Sequence, residues 1–288
     1  MFLFCIMNNN PLFMQTLSFS YRQVLVYFLA VFMFSSCAKN KVTGRRQLKL
    51  LPESQLQSMS LQQYKDFLKS NKVVPVKDNE NAEMVKRVGS KIAYAITKYY
   101  DSEGKSSVLD GFDWEFNLVA DSQINAWCMP GGKVVVYTGL LPVTKNEAGL
   151  AVVMGHEIAH ALALHGNERV SQGMLQQFGG IALQVAVSEH SAEMQNLFMN
   201  AYGVGTTVGA ILPFSRKHEL EADRFGLKFS AMAGYDPGEG VELWKRMAAA
   251  SKGEKPPELL STHPSDDTRI EKMKKFAEEA SKYYKKPG

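Results

Sequence analysis

Cysteine is scarce in this chain: Cys5, Cys37 and Cys128 are the whole supply in 288 residues. Three cysteines cannot build a disulfide framework, so the fold must rest on its apolar core and on any metal it holds. Charge of one sign is also missing. Lys and Arg number 33 against 29 Asp and Glu, a net charge of +4 with the two signs interleaved, which describes a solvated surface and excludes a nucleic-acid-binding role. Internal repeats and low-complexity tracts are absent, which leaves one globular domain with appendages. The one strongly apolar run near the N-terminus, Val24 to Phe34, is too short for a comfortable membrane-spanning helix.

That run has a different use. Arg22 precedes it and Ser35-Ser36-Cys37 ends it, the layout of a signal peptide. Small residues before a cysteine resemble the bacterial lipobox, although Phe34 stands where leucine is commonest. The reading is a lipoprotein signal over residues 1–36 with Met14 as a plausible start, Cys37 acylated and Cys5 removed, which leaves Cys128 as the free thiol. The alternative is an uncleaved anchor helix, and both export the rest of the chain and leave it on a membrane. Residues 37–52, basic and polar with a Thr43-Gly44 turn, read as a tether, and residues 53–288 as the folded domain.

Helical periodicity runs from Ser54 to Leu68 and from Asn79 to Tyr99. Short strands are expected over Trp114 to Val119, Ile124 to Cys128 and Lys133 to Tyr137, with Pro130-Gly131-Gly132 turning between the last two. The class is α+β, mainly helical, with a small sheet beside the helix described next.

Val153-Met154-Gly155-His156-Glu157-Ile158-Ala159-His160-Ala161 carries the chemistry. Residues four apart share a helix face, so His156 and His160 can aim at one Zn²⁺. Glu157 sits about 100° round the helix. A carboxylate there reaches a water, whose pKa a zinc ion lowers towards roughly 7, without occupying a ligand position, as a general base must. Apolar neighbours on both sides would make unpartnered imidazoles expensive to bury, and a metal removes that cost.

A catalytic zinc needs a third protein ligand. A histidine six after His160 would follow the metzincin pattern, but that position is Gly166, and His165, one short, lies about 140° off the ligand face. Downstream, Glu219 and Asp223 stand four apart on a predicted helix, with Glu221 about 200° round from Glu219. Glu219 can ligate zinc while Asp223 orients a ligating histidine.

With these residues the chain resembles the gluzincin metallopeptidases of the HtpX and CAAX-prenyl-protease type, peptidase family M48. The resemblance runs from about Val42 to Ile270 through Thr43-Gly44-Arg45, Asn125-Ala126, Pro130-Gly131-Gly132, HEIAH, Glu219 to Asp223, Thr262-His263-Pro264 and Arg269. It implies a zincin-like domain and zinc-dependent endopeptidase activity, with His156, His160 and Glu219 as ligands to one Zn²⁺ per chain and Glu157 as base. A gluzincin histidine outside the ligand set commonly donates to the oxyanion, and His263 is the candidate, with Arg269 bracing it or the substrate. Asn125 and Ala126 open a sheet edge to which an extended peptide can add as a strand. Residues 166–213, apolar and rich in methionine and glutamine, read either as a helical lid or as a hairpin completing the core, with Gly203, Gly205 and Gly209 suggesting a hinge and His190 at the surface.

The expected whole is an envelope protease tethered by Cys37 at the periplasmic side of the outer membrane, acting on unfolded or extended proteins in quality control. Two alternatives stand beside it, a chaperone-like assembly factor and a dedicated processing protease. Oligomeric state is not legible.

Overall fold

The computed structural model describes residues 37–178, 192–202, 215–250 and 267–285, with Leu259 and His263. The expected signal segment, His190, the glycines at 203, 205 and 209, and Ser261, Thr262 and Pro264 lie outside the described residues.

A two-stranded hairpin, β1 (Cys37–Lys39) with β2 (Arg46–Leu48), opens the chain, followed by helices α1 (Glu53–Ser70) and α2 (Glu80–Ser102). Strands β3 (Glu115–Val119), β4 (Ala126–Met129) and β5 (Lys133–Tyr137) form a sheet of order β3-β5-β4, parallel between β3 and β5 and antiparallel between β4 and β5. Then come α3 (Glu147–Leu162), α4 (His165–Phe178), α5 (Ala192–Ala201), α6 (Arg216–Met232), α7 (Glu239–Ala250) and α8 (Asp267–Ser281). Helix and strand positions agree with the periodicity to within a few residues. Asn79 caps α2 by accepting from the Ala82 amide.

The central strand β5, Lys-Val-Val-Val-Tyr, is buried along its whole length because both sheet faces are covered. Its alternation assigns the two cores. Val134 and Val136, with Leu118, Ala126 and Cys128, face α2 and α3, where Val85, Val88, Ile92 and Ile96 recur at helical spacing. Val135 and Tyr137, with Val119, Trp127 and Met129, face α1, α4 and α5. At the β4–β5 turn Gly131 and Gly132 take φ of 79° and 81°, and a Cβ on Gly132 would lie 2.6 Å from the Trp114 ring, so both conformation and space call for glycine.

Within residues 37–52, β1 and β2 pair, and the buried Gln47 donates through Nε2 to the Ala163 carbonyl at 2.7 Å, docking the hairpin on the corner after α3. Short polar strands gain nothing in water but satisfy a helix end here. Within the described part of residues 166–213, Val170, Met174, Met194, Leu197 and Phe198 lie in the second core. Apolar residues at mixed helical spacing look the same in a lid and in a core helix until the partner surface is known. Among the described residues no helix is long and apolar enough to cross a membrane.

Candidate metal centre

Helix α3 starts at Asn146, whose side chain accepts from the Gly149 amide, and is buried from Gly149 to Leu162. Its position is set by a backbone crossing with α6: a Cβ on Gly155 would lie 2.6 Å from Ser230 Oγ and 2.7 Å from the Gly226 carbonyl oxygen. With no side chains between them, the two helices bring the histidines of one against the carboxylates of the other.

Four buried residues, His156, His160, Glu219 and His263, offer ligand atoms that all lie within 4.8 Å of one another. The His156 and His160 Nε2 atoms are 3.0 Å apart, and Glu219 Oε2 and Oε1 lie 3.5 and 3.4 Å from them respectively. A tetrahedral zinc with bonds of about 2.0–2.1 Å has edges of about 3.3 Å, so these donors fit one ion. Glu157 is buried beside them. Its Oε1 accepts no hydrogen bond among the described residues, and His263 Nε2 lies 3.5 Å from it. A buried carboxylate oxygen without a donor marks the place of a missing polar group.

His263, expected as the oxyanion donor beside the ligand set, lies against the other three. Its Nδ1 lies 3.0 Å from Glu219 Oε1 and 3.2 Å from His156 Nε2, while Nε2 faces Glu157. His263 and Glu219 stand 44 residues apart in the chain, which is why spacing could not show this contact.

Around the cluster the charges are paired. Asp223 Oδ1 is 2.9 Å from His156 Nδ1, and Arg269 donates to Asp223 through Nε at 2.6 Å and Nη2 at 2.8 Å. Arg269 also reaches Glu219 Oε2 at 2.8 Å and lies on the Trp244 ring, 3.7 Å from its centroid. Burial would raise the Glu219 carboxyl, but His263 and Arg269 hold it well below its ordinary value. Burial raises Glu157, with His263 and His156 pulling the other way, which suits a proton acceptor. Burial pushes His160 well down, whereas at His156 the hydrogen bonds to Asp223 and Glu219 overcome burial and bring the ring to about 9. A proton and a metal compete for that nitrogen.

Glu221 points away from the cluster, as the helical wheel implied. His165 does not sit where the wheel put it, because α3 ends at Leu162 and Leu164 takes a left-handed φ of 56°. The chain turns there, and His165 Nδ1 comes within 2.9 Å of His160 Nδ1. Cys128, on β4, is buried against α2 and α3 with its thiol pushed well up by burial, an inert position.

Strand β4 pairs on one side only among the described residues, and it packs on α3. Asn125 is buried and its Oδ1 accepts from the Ala126 amide, so that edge donor is already occupied. Sequence reasoning missed the Gly155–Gly226 crossing, the Trp244 platform and the partners of His165. A glycine inside a predicted helix was the one available signal for the first.

The fold and the histidine–glutamate cluster define a metallopeptidase centre of the HExxH type. The chain belongs to peptidase family M48, whose profile matches residues 82–277, and zinc is the metal of that family. It is 35% identical over 193 residues to the mitochondrial metalloendopeptidase OMA1 of Saccharomyces cerevisiae, covering 65% of this chain and 53% of that protein. It is 34% identical over 193 residues to the beta-barrel assembly-enhancing protease of Yersinia pestis, covering 61% and 37%. With the human metalloendopeptidase OMA1 it shares 29% over 270 residues, covering 88% and 48%. The chain spans about half the length of the OMA1 relatives and less of the Yersinia protein.

Proposed function

We propose that this chain is a zinc metalloendopeptidase of a bacterial cell envelope that cuts extended segments of other proteins. The observation that carries the reading is the buried Glu157 carboxylate, with one oxygen left without a donor, against a cluster of His156, His160 and Glu219 that fits one zinc. When bound, zinc supplies Lewis-acid polarisation of a water and a carbonyl oxygen. His156, His160 and Glu219 would hold it. Glu157 takes the proton from the attacking water and passes it to the leaving amine. His263, whose Nε2 lies on the Glu157 side, donates to the oxygen that becomes negative as water adds. Asp223 and Arg269 keep the His156 ring and the Glu219 carboxylate in register.

Substrate lies along β4 from Asn125 and Ala126 onward, because among the described residues that strand pairs on one side only and packs on the HExxH helix; the Ala126 amide is taken by Asn125 Oδ1, so the main-chain groups beyond it receive the extended chain. An apolar hollow lined by Leu243, Trp244, Met247 and Leu259 adjoins Glu157. Export through residues 1–36 and acylation at Cys37 would hold the domain on a membrane, the outer membrane's periplasmic side in this reading. The name of the Yersinia relative supports the envelope and the OMA1 names a mitochondrial compartment; the signal-like N-terminus favours the former.

The test is cleavage of casein by the zinc-loaded protein with and without chelator, beside Glu157→Gln. The amide keeps the shape but accepts no proton, so turnover should fall by about two to four orders of magnitude while zinc stays bound. Equal turnover in the two zinc-loaded proteins removes Glu157 from the base role. Casein left intact by the parent favours the chaperone-like alternative.

A further inference from the structure

We propose that His165 is a positioning residue of the metal centre and that Arg45, on the N-terminal hairpin, completes it through Glu221; this rests on the reading of His160 as a zinc ligand. To offer Nε2 to a metal, His160 must carry its ring proton on Nδ1. That nitrogen is 2.9 Å from His165 Nδ1, so His165 must accept there. Its own proton then sits on Nε2 and is donated to Glu221 Oε2 at 2.9 Å. Glu221 receives Arg45 Nε at 2.8 and 3.1 Å. Along the chain His160, His165, Glu221, Arg45 each N–H meets an acceptor, the Arg45 Nε–H shared between both Glu221 oxygens, and a single assignment of protons satisfies all of them.

The His165 ring has no freedom to leave this role. It is fully buried, and its face stacks on His218 with centroids 4.4 Å apart and planes at 19°. His218 Nε2 is 2.9 Å from Glu168 Oε2, and Glu168 also takes Arg45 Nη1 at 2.9 Å and Nη2 at 2.6 Å. Arg45 thus clamps two carboxylates, one holding the edge of His165 and one holding the ring stacked on it. A histidine kept for packing alone would need neither the carboxylate on Nε2 nor the arginine behind it.

The arrangement mirrors the other ligand: His156 is oriented by Asp223, and Asp223 is held by Arg269. The two arginines come from opposite ends of the chain, Arg269 from α8 and Arg45 from between β1 and β2. Arg45 lies outside residues 82–277, the region matched to the family. The hairpin is therefore part of the metal centre and not a spacer in front of it. Ligand histidines lose about 10–100-fold in metal affinity when their hydrogen-bond partner is removed.

The experiment measures zinc affinity by chelator competition and the visible spectrum of the Co²⁺-substituted protein. It compares the parent, His165→Phe, His165→Gln, Arg45→Met and, as control, His160→Ala. Phenylalanine fills the ring's space without either nitrogen and should weaken zinc by about 10–100-fold and shift the cobalt bands. Glutamine presents an oxygen to His160 and an N–H to Glu221, and should restore affinity to within about threefold. Arg45→Met, remote from the metal, should weaken zinc by about three- to tenfold. Parental affinity and cobalt spectrum in His165→Phe overturn the proposal. Should that variant not fold, parental values in Arg45→Met overturn it instead. If His160→Ala binds zinc as the parent does, the ligand reading itself fails; if it loses zinc while His165→Phe keeps it, only the positioning role fails.

Discussion

Replacing Gly226 with alanine should part the two helices that build the metal centre. The new Cβ would stand 2.7 Å from the His156 backbone nitrogen, 2.8 Å from its Cα and 2.9 Å from the Gly155 carbonyl carbon. All three are main-chain atoms of a buried helix, so no rotamer change relieves the contact. Reaching an ordinary separation near 3.5 Å moves α6 from α3 by about 0.6–0.8 Å. Overpacking of that kind costs about 1–3 kcal/mol. The functional effect should exceed the loss of stability, because metal–ligand distances tolerate only about ±0.2 Å. Glu219 and Asp223 ride on α6, one to two turns before the crossing, and they must meet histidines fixed on α3. Zinc affinity should fall at least about tenfold, and turnover by about a hundredfold per ångström of misplacement. Thermal unfolding of the metal-free protein, chelator competition and casein cleavage give the three readouts. Gly155→Ala strikes the same crossing from the other side, so the double variant should lose less than the sum of the two. A Gly226→Ala protein with parental unfolding temperature and zinc affinity would refute the crossing as the element that sets the site.

Arg269→Met leaves the buried Glu219 and Asp223 carboxylates without their cation and should destabilise the metal-free protein by about 3–5 kcal/mol, with zinc restoring part of it; a loss under about 1 kcal/mol in a urea titration counts against that account. Glu168 is held at about 2 because His218 and Arg45 outweigh the effect of its burial. Its folded value lies below its unfolded one, so its contribution is present above about pH 4.5 and is lost as pH falls towards 2, on the order of 2 kcal/mol. Glu168→Gln should therefore flatten the stability profile between pH 5 and 2, and an unchanged slope would show that other carboxylates govern it. Cys37→Ala should abolish incorporation of a labelled fatty acid in cells, and label retained at the parental level excludes Cys37 as the lipid site.

The juxtaposition of His156, Glu157 and His160 was readable because it depends on local geometry: positions four apart on a helix meet one point in any fold, and a residue one position on lies beside it. Glu219 and Asp223 were readable for the same reason, once a third ligand was required. The sheet was also legible, since β5 is apolar throughout and the Pro130-Gly131-Gly132 turn leaves few alternatives. Periodicity could not separate a lid from a core helix around Val170 and Met174, because both bury one face.

What the sequence by itself determined, then, is the helix that sets His156, His160 and Glu157 together, whose geometry depends only on the α-helical repeat. The tertiary structure alone decided the rest of the site. A left-handed residue at Leu164 ends the helix and turns His165 back onto His160, against the helical wheel. His263 and Arg269 arrive from the far end of the chain and Arg45 from the near end, each at a distance along the sequence that no spacing rule spans. Buried charges choose partners by proximity in space and by the need to cancel, and that need is met only after the chain has folded.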